Sequence, residues 1–247
     1  MSNVCTVVTG AASGIGFAVA RQILSQGGKV AAVDRDAARL EACFGGDDAV
    51  LCVDGDLTTD EGFVRLTTAI KQKFDAVGGF VHAAGFDAMA PLGLVKSDDI
   101  QRLTAIHAAF PVRFLGWMAR KGNYAENAAG VLISSLSAHE GAKGHVAYAA
   151  AKGAVEGLLR PAAAELLDKG IRLNAVVLGV VETEMSKRWL AKLTSEQLAS
   201  LKGGYPLGLG SPENVAGVIG FLLSPAASWI TGQTLVCDGG HLVAARG

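Results

Sequence analysis

Apolar positions along this chain follow two rhythms. Short runs rich in β-branched residues, at 4–9, 29–33, 50–53, 78–82, 131–134, 171–177 and 233–236, alternate with stretches of helical periodicity at 14–26, 59–74, 98–120, 146–168 and 212–223. The short runs are apolar without strict alternation, as expected of strands covered on both faces. The alternation predicts an α/β fold, a doubly wound parallel sheet with helices on both sides. Ser211 before Pro212 reads as an N-cap followed by proline at the first helical position. Thr194-Ser195-Glu196-Gln197 reads as a capping box opening a short helix within 185–201. No linker, repeat or low-complexity tract interrupts the pattern, so one domain is expected over 1–247.

Composition narrows the picture. Half of the 247 residues are apolar, 18% are charged, and the formal net charge is −1. That is enough apolar material for a large core, and it leaves neither a basic footprint for nucleic acid nor a polybasic membrane patch. The start, Met1-Ser2-Asn3-Val4-Cys5-Thr6-Val7-Val8, lacks the features of a leader peptide, and no apolar run is long enough to span a bilayer. Cys5, Cys43, Cys52 and Cys237 form no CxxC pair and are expected to be free thiols in a reducing compartment. A soluble cytoplasmic protein is the expectation. His82, His107, His139, His145 and His241 have no metal-ligand spacing, so no catalytic metal is expected.

Candidate chemistry begins at the first strand, which runs into Thr9-Gly10-Ala11-Ala12-Ser13-Gly14-Ile15-Gly16 and then a helix. Glycines allow a tight turn and close approach of backbone to a pyrophosphate, and a helix N-terminus offers free N–H donors. At the end of the next strand stands Asp34, whose carboxylate can accept from a ribose 2′-hydroxyl and would repel a 2′-phosphate. A solvated turn aspartate is the plainer account. Arg35 tempers the preference, while Ser13 occupies a turn position where a basic residue would favour the phosphate. NAD is favoured over NADP.

Tyr148 and Lys152 lie four apart in a helical stretch and so share a face. A phenol titrates near pH ~10, and lowering it by about three units takes roughly 4 kcal/mol of preferential phenolate stabilisation. A nearby lysine ammonium, helped by a positive nicotinamide ring, is a reasonable source. Thirteen residues before Tyr148, Ser135 ends a strand at the carboxyl edge of the sheet, where ligands bind in such folds.

In order and spacing, Thr9-xxx-Gly14-x-Gly16, Asp34, Asp56-Leu57, Ala84-Gly85, Ser135, Tyr148-xxx-Lys152, Arg172-x-Asn174 and the closing run through Pro212-Glu213, Thr231-Gly232-Gln233 and Asp238-Gly239-Gly240 resemble the short-chain dehydrogenase/reductase family over essentially the whole chain. The resemblance implies a Rossmann fold with a seven-stranded sheet, and an oxidoreductase that moves a hydride between a nicotinamide cofactor and a small-molecule ketone or secondary alcohol. It implies Tyr148 as general acid/base, Ser135 as hydrogen-bond partner of the substrate oxygen, and Lys152 as ligand of the nicotinamide ribose that lowers the Tyr148 pKa. Gly10, Ser13, Gly14, Ile15 and Gly16 would cradle the cofactor. Asp56 would meet the adenine amino group beside Leu57, Ala84 and Gly85 would line the cofactor, and Val181 and Thr183 would contact the carboxamide. A homotetramer, or a homodimer, and a substrate lid at about 182–205 follow from the same resemblance. The spacing of Tyr148 and Lys152 is that of carbonyl reductases rather than enoyl reductases, and Glu126 before the fifth strand argues against an acyl-carrier substrate.

Four departures stand out. His82-Ala83-Ala84-Gly85 replaces the family's Asn-Asn-Ala-Gly, His107 stands at its catalytic asparagine, Leu178-Gly179 replaces Pro-Gly, and Pro111 and Pro161 fall within helical stretches. Pro111 cannot donate to the His107 carbonyl, so it either keeps that carbonyl free for a relay water or only kinks a buried helix. The His107 imidazole itself either joins a proton relay or is a packed, hydrogen-bonded core histidine. His82 is expected to be a structural hydrogen-bonder. His139 and His145 either touch substrate or belong to loop surface. Loss of the asparagine also leaves open a catalytically silent nucleotide-binding relative.

Overall fold

The computed structural model describes residues 3–244; Met1 and Ser2, the first positions of the segment read against a leader, lie outside the described residues. Seven strands, β1 (Val4–Thr9), β2 (Val30–Asp34), β3 (Val50–Asp54), β4 (Ala76–His82), β5 (Tyr124–Ser135), β6 (Arg172–Leu178) and β7 (Thr234–Cys237), form one sheet in the order β3-β2-β1-β4-β5-β6-β7. Every pairing is parallel. The chain therefore winds outward in one direction from β1 to β3 and in the other from β4 onward. The carboxyl ends of β1 and β4 diverge into opposite crossovers there, which opens a crevice at the switch point.

Helices cover both faces. On one side α1 (Gly14–Ser25), α2 (Ala37–Phe44) and α9 (Pro212–Leu223) bury Val19, Leu40 and Ile219 against Val8, Val30 and Ala32. On the other, α3 (Asp60–Lys73), α4 (Ser97–Thr104), α5 (Phe110–Met118) and α6 (Val146–Leu167) flank a core in which Phe80, Phe110 and Phe114 stack with Leu66, Ile70 and Leu159. Consecutive residues of β1 feed the two cores, Val7 one and Val8 the other, as the period of two along a strand requires. Two further helices, α7 (Glu184–Leu190) and α8 (Ser195–Gly203), occupy the segment expected to be a lid.

Several boundaries match the periodicity, and three differ for stateable reasons. The expected helix over 98–120 is three pieces: between α4 and α5, residues Ala105–Ala109 form a π turn in which the Phe110 N–H reaches back to the Ala105 carbonyl. Pro111 has no N–H for the His107 carbonyl, so the α-helical ladder cannot run unbroken through this point. α6 by contrast passes through Pro161, which lies on its exposed face, and the Gly157 carbonyl left without a helical donor is exposed to water. The segment expected before the fifth strand belongs to it: β5 starts at Tyr124, bulges where its pairing steps from Tyr124 to Ala129, and carries Asn127 at φ 59°. α2 was not apparent from periodicity, although Asp36 caps it by accepting from the Arg39 N–H, and Leu40 and Phe44 are its buried pair. The expected caps at Thr194 and Ser211 are formed, each with its reciprocal bond from Gln197 and Asn214. No helix among the described residues is long and apolar enough to cross a membrane.

Candidate active site

The turn after β1 is built so that three backbones can touch. Gly10 lies at φ 68°, and a Cβ there would fall 2.9 Å from the Ala84 nitrogen at the end of β4. A Cβ on Gly16 would fall 2.2 Å from the Gly10 carbonyl oxygen, so α1 can start this close to the strand only with glycine. A Cβ on Gly14 would meet the Thr183 methyl at 3.2 Å, which sets the start of α7 against the turn. Ser13 is the N-cap of α1 but makes no capping bond, whereas the N-caps of α2, α3, α7, α8 and α9 all close theirs. The positive end of α1 thus faces the crevice uncapped by its own chain, beside Ile15.

Asp34, at the tip of β2, accepts from the Ala12 N–H at 3.0 Å and the Asp36 N–H at 3.1 Å, which holds its carboxylate beside the turn. Arg39 on α2 and Glu184 on α7 form a two-pronged ion pair across the rim. Asp56 accepts from both the N–H and hydroxyl of Thr58, and these bonds hold its carboxyl below the usual range. Leu57 beside it is buried, as is Val181, which bridges to Gly210. Thr183 spends its hydroxyl as the N-cap of α7, accepting from Ser186.

His82 ties this turn to the helical layer. Its Nε2 faces the Ile106 carbonyl at 2.8 Å, which only accepts, so Nε2 carries the proton. Nδ1 is then an acceptor for the Thr9 hydroxyl at 2.9 Å, and the Thr9 oxygen in turn accepts from the Ala83 and Ala84 N–H groups, both at 3.1 Å. Complete burial pushes the imidazole down to about 3, well below the ordinary 6.5, so it is neutral. The structural role expected of His82 is what the geometry gives.

Ser135, Tyr148, Lys152 and His107 converge at the carboxyl edge of β4 and β5. Tyr148, half-buried, faces the Ser135 hydroxyl. Lys152 is buried one turn along α6, its Nζ 5.5 Å from the Tyr148 ring centroid and donating to the Ile133 carbonyl at 2.9 Å. Burial pushes Lys152 down to about 7. Burial also raises Tyr148 above its ordinary range, the Asp87 carboxylate adds to the rise, and the Ser135 hydrogen bond opposes it. In the protein alone, desolvation outweighs the charges around the phenol.

His107 occupies the asparagine position but is sealed. Its ring lies edge-on to Tyr148 at 5.8 Å between centroids, its Nε2 donates to the Phe86 carbonyl at 3.2 Å, and burial holds its pKa far below neutrality. A Cβ on Gly85 would fall 2.2 Å from its Cε1, so the imidazole fills the space over that glycine. The packed-core account of this residue fits the structure. His139 is paired with Glu156 of α6, 3.0 Å from each carboxylate oxygen, and the Ser134 hydroxyl donates to the same carboxylate.

Sequence reasoning missed a second cluster. Tyr205 stacks on His241 at 4.4 Å, packs where a Cβ on Gly179 would fall 2.8 Å from its ring, and accepts from the Val180 N–H. His241 reaches the Gly204 carbonyl through Nδ1 at 2.7 Å and Glu140 through Nε2 at 2.6 Å. The C-terminal segment is thereby stitched to the end of α8 and to the loop after Ser135. Nothing local in the sequence links these positions.

Comparison with known proteins agrees with this geometry. Residues 10–241 match the family model described as enoyl-(acyl carrier protein) reductase. The chain is 32% identical to 2-(S)-hydroxypropyl-CoM dehydrogenase 3 of Xanthobacter autotrophicus, with 97% of each chain covered. It is 31% identical to L-2,3-butanediol dehydrogenase of Corynebacterium glutamicum, covering 98% of this chain and 99% of that one. Among solved structures, 4-hydroxyisoleucine dehydrogenase complexed with NADH superposes with a TM-score of 0.90 at 25% identity, over 98% of this chain and 100% of that one.

Proposed function

Because this chain belongs to the short-chain dehydrogenase/reductase family, we propose that it is an NAD(H)-dependent enzyme interconverting a small ketone and its secondary alcohol. The observation that carries the reading is the convergence of Ser135, Tyr148 and Lys152 beside the glycine cradle. Relatives named as a hydroxypropyl-CoM dehydrogenase and a butanediol dehydrogenase support the substrate class, and the three residues between Tyr148 and Lys152 favour carbonyl over enoyl chemistry.

The residues present fit a dinucleotide. The cradle of Gly10, Ser13, Gly14, Ile15 and Gly16 brings backbone and an uncapped helix end together where a pyrophosphate would be held. Asp34 would accept from the adenine-ribose hydroxyls and repel a 2′-phosphate, which is the basis for preferring NAD. Asp56 and Leu57 would border the adenine, Ala84 and Gly85 the ribose path, and Val181 and Thr183 the carboxamide. Bound there, the cofactor supplies or accepts the hydride at the substrate carbon.

The rest is done by this chain. Ser135 orients the substrate oxygen, Tyr148 gives it a proton in reduction and takes one in oxidation, and Lys152 turns its ammonium toward the ribose. Burial of both Tyr148 and Lys152 leaves the pair poised for the extra positive charge that a nicotinamide ring brings. α7 and α8 act as the substrate lid. The chain works as one domain in the cytoplasm, in a homotetramer or homodimer; its four free cysteines and the fully exposed Trp229 accord with that assignment.

The test follows nicotinamide absorbance with NADH and NADPH over a panel of ketones and alcohols, beside cofactor binding read by fluorescence. Turnover with NADH that falls at least a hundredfold in Tyr148→Phe, with NADH binding retained, is expected, and so is a shift toward NADPH binding in Asp34→Ala. Equal turnover in wild type and Tyr148→Phe would refute the assignment.

A further inference from the structure

Every hydride exchanged in the proposed reaction leaves Tyr148 one proton short or one proton over, and a half-buried phenol must trade that proton with water. The side chain at the position where the family places its relay asparagine carries no proton outward here. The His107 imidazole is buried, donates from Nε2 to the Phe86 carbonyl, and is packed against Gly85. Lys152 is equally enclosed and donates to the Ile133 carbonyl.

From the phenol a second, continuous line of exchangeable protons leads through Ser135. Tyr148 faces the Ser135 hydroxyl; Ser135 Oγ is 3.3 Å from Ser137 Oγ; and Ser137 Oγ is 3.2 Å from His145 Nδ1. The Ser137 N–H donates to Ser135 Oγ at 3.2 Å, which fixes the spacing of the two hydroxyls through the backbone of one short 3-10 turn. His145 is the N-cap of α6, yet its side chain makes no capping bond and is turned to Ser137 instead. It is only half-buried, so the far end of the line meets solvent. Its backbone neighbour Gly144 is held by the Ala90 N–H at 2.9 Å, which anchors this loop to the one after β4.

We propose that His145 is the proton port of this active site, exchanging protons between Tyr148 and water through Ser137 and Ser135. The inference rests on the enzymatic reading above. In the oxidising direction the Tyr148 Oη–H bond breaks and its proton passes to Ser135 Oγ, whose own hydroxyl proton passes to Ser137 Oγ. The Ser137 proton passes to His145 Nδ1, and one proton leaves His145 Nε2 to water. In reduction each transfer reverses, and one proton enters for each hydride delivered. The imidazole is suited to the outer end because it can bind a proton at one nitrogen and release one at the other. Ionisable groups on its own loop are His139, Glu140 and Lys143, those in the first turns of α6 are Tyr148, Lys152 and Glu156, and Asp87 on the loop after β4 acts on the Tyr148 phenol. His145 acts through Ser135 and does not touch the reacting atoms.

The experiment compares wild type, His145→Ala and Ser137→Ala, the second retaining the backbone N–H that holds Ser135. With a substrate found in the panel above, kcat near neutral pH is expected to fall by about tenfold to a hundredfold in both variants. NADH binding read by fluorescence should not change. The solvent isotope effect should rise, and added imidazole should restore turnover in His145→Ala but not in Ser137→Ala. A structural role for His145 would not give that rescue pattern. An active wild type matched by His145→Ala at every pH, with the same isotope effect, overturns the relay alone. A wild type that does not turn over across the panel overturns the enzymatic reading and the relay with it.

Discussion

The neutral, sealed state of His82 carries a stability cost that pH should expose. Folded, this imidazole titrates at about 3, against 6.5 for an ordinary histidine. Its folded pKa is depressed, so its contribution is fully present above about pH 6.5 and is lost as pH falls toward the folded value, because the unfolded chain takes up the proton first. Between pH 8 and pH 5 the difference amounts to about 2 kcal/mol for this one residue, by the two pKa values and linkage. For a chain of this length that corresponds to roughly 4–8 °C in Tm. His107, buried and depressed in the same direction, should add a similar loss over the same window. The assay is calorimetric Tm from pH 8 to pH 5 for wild type and His82→Asn. Asparagine does not titrate, so whatever the substitution does to absolute stability, the fall in Tm between those pH values should shrink by about 4–8 °C. Carboxylates contribute alike to both proteins and cancel in the comparison. Parallel Tm curves for the two proteins would refute the reasoning, for then His82 would not be a buried neutral group whose unfolded form gains a proton.

Two further outcomes follow from contacts in the site. Gly85→Ala should destabilise by about 1–3 kcal/mol in urea because its Cβ would collide with the His107 ring, and the loss should largely vanish in a His107→Ala background; equal losses in both backgrounds would show that the ring is not what Gly85 accommodates. Glu140→Gln should lower stability by roughly 1–2 kcal/mol and speed proteolysis in the loop after Ser135, since the His241 pair is three-quarters or more buried on both sides; an unchanged cleavage rate would mean the pair does not hold that loop.

Much of the fold was legible because it rests on period and punctuation. The apolar runs that became β1 to β7 and the periodic stretches around α1, α3, α6 and α9 need only burial to explain them. The π turn was not legible, since a helical pattern continues through Ala105–Ala109 and only Pro111 marks the break. The short α2 was missed because two apolar residues in one turn are a weak period, although its Asp36 cap was there to be read. The candidate site divides in the same way. Ser135, Tyr148, Lys152 and the glycine turn stand in a local order that encodes their geometry, one helix face and one strand end.

The histidines were the opposite case. What an imidazole does depends on what its two nitrogens meet, and for His82 those partners, Thr9 and Ile106, lie 73 and 24 residues away in sequence. His107 meets Phe86, His139 meets Glu156, and His241 meets Gly204 and Glu140, all through tertiary approach. The direction of the Tyr148 shift belongs with them: the motif places a cation one turn away, but the degree of burial decides whether desolvation or charge prevails. The sequence by itself determined the parallel α/β sheet and the identity of the catalytic candidates, because local periodicity and spacing suffice for these. Only the tertiary structure decided which titratable groups are sealed and which are paired, because burial and hydrogen-bond partners are properties of surfaces that meet only when the chain has folded.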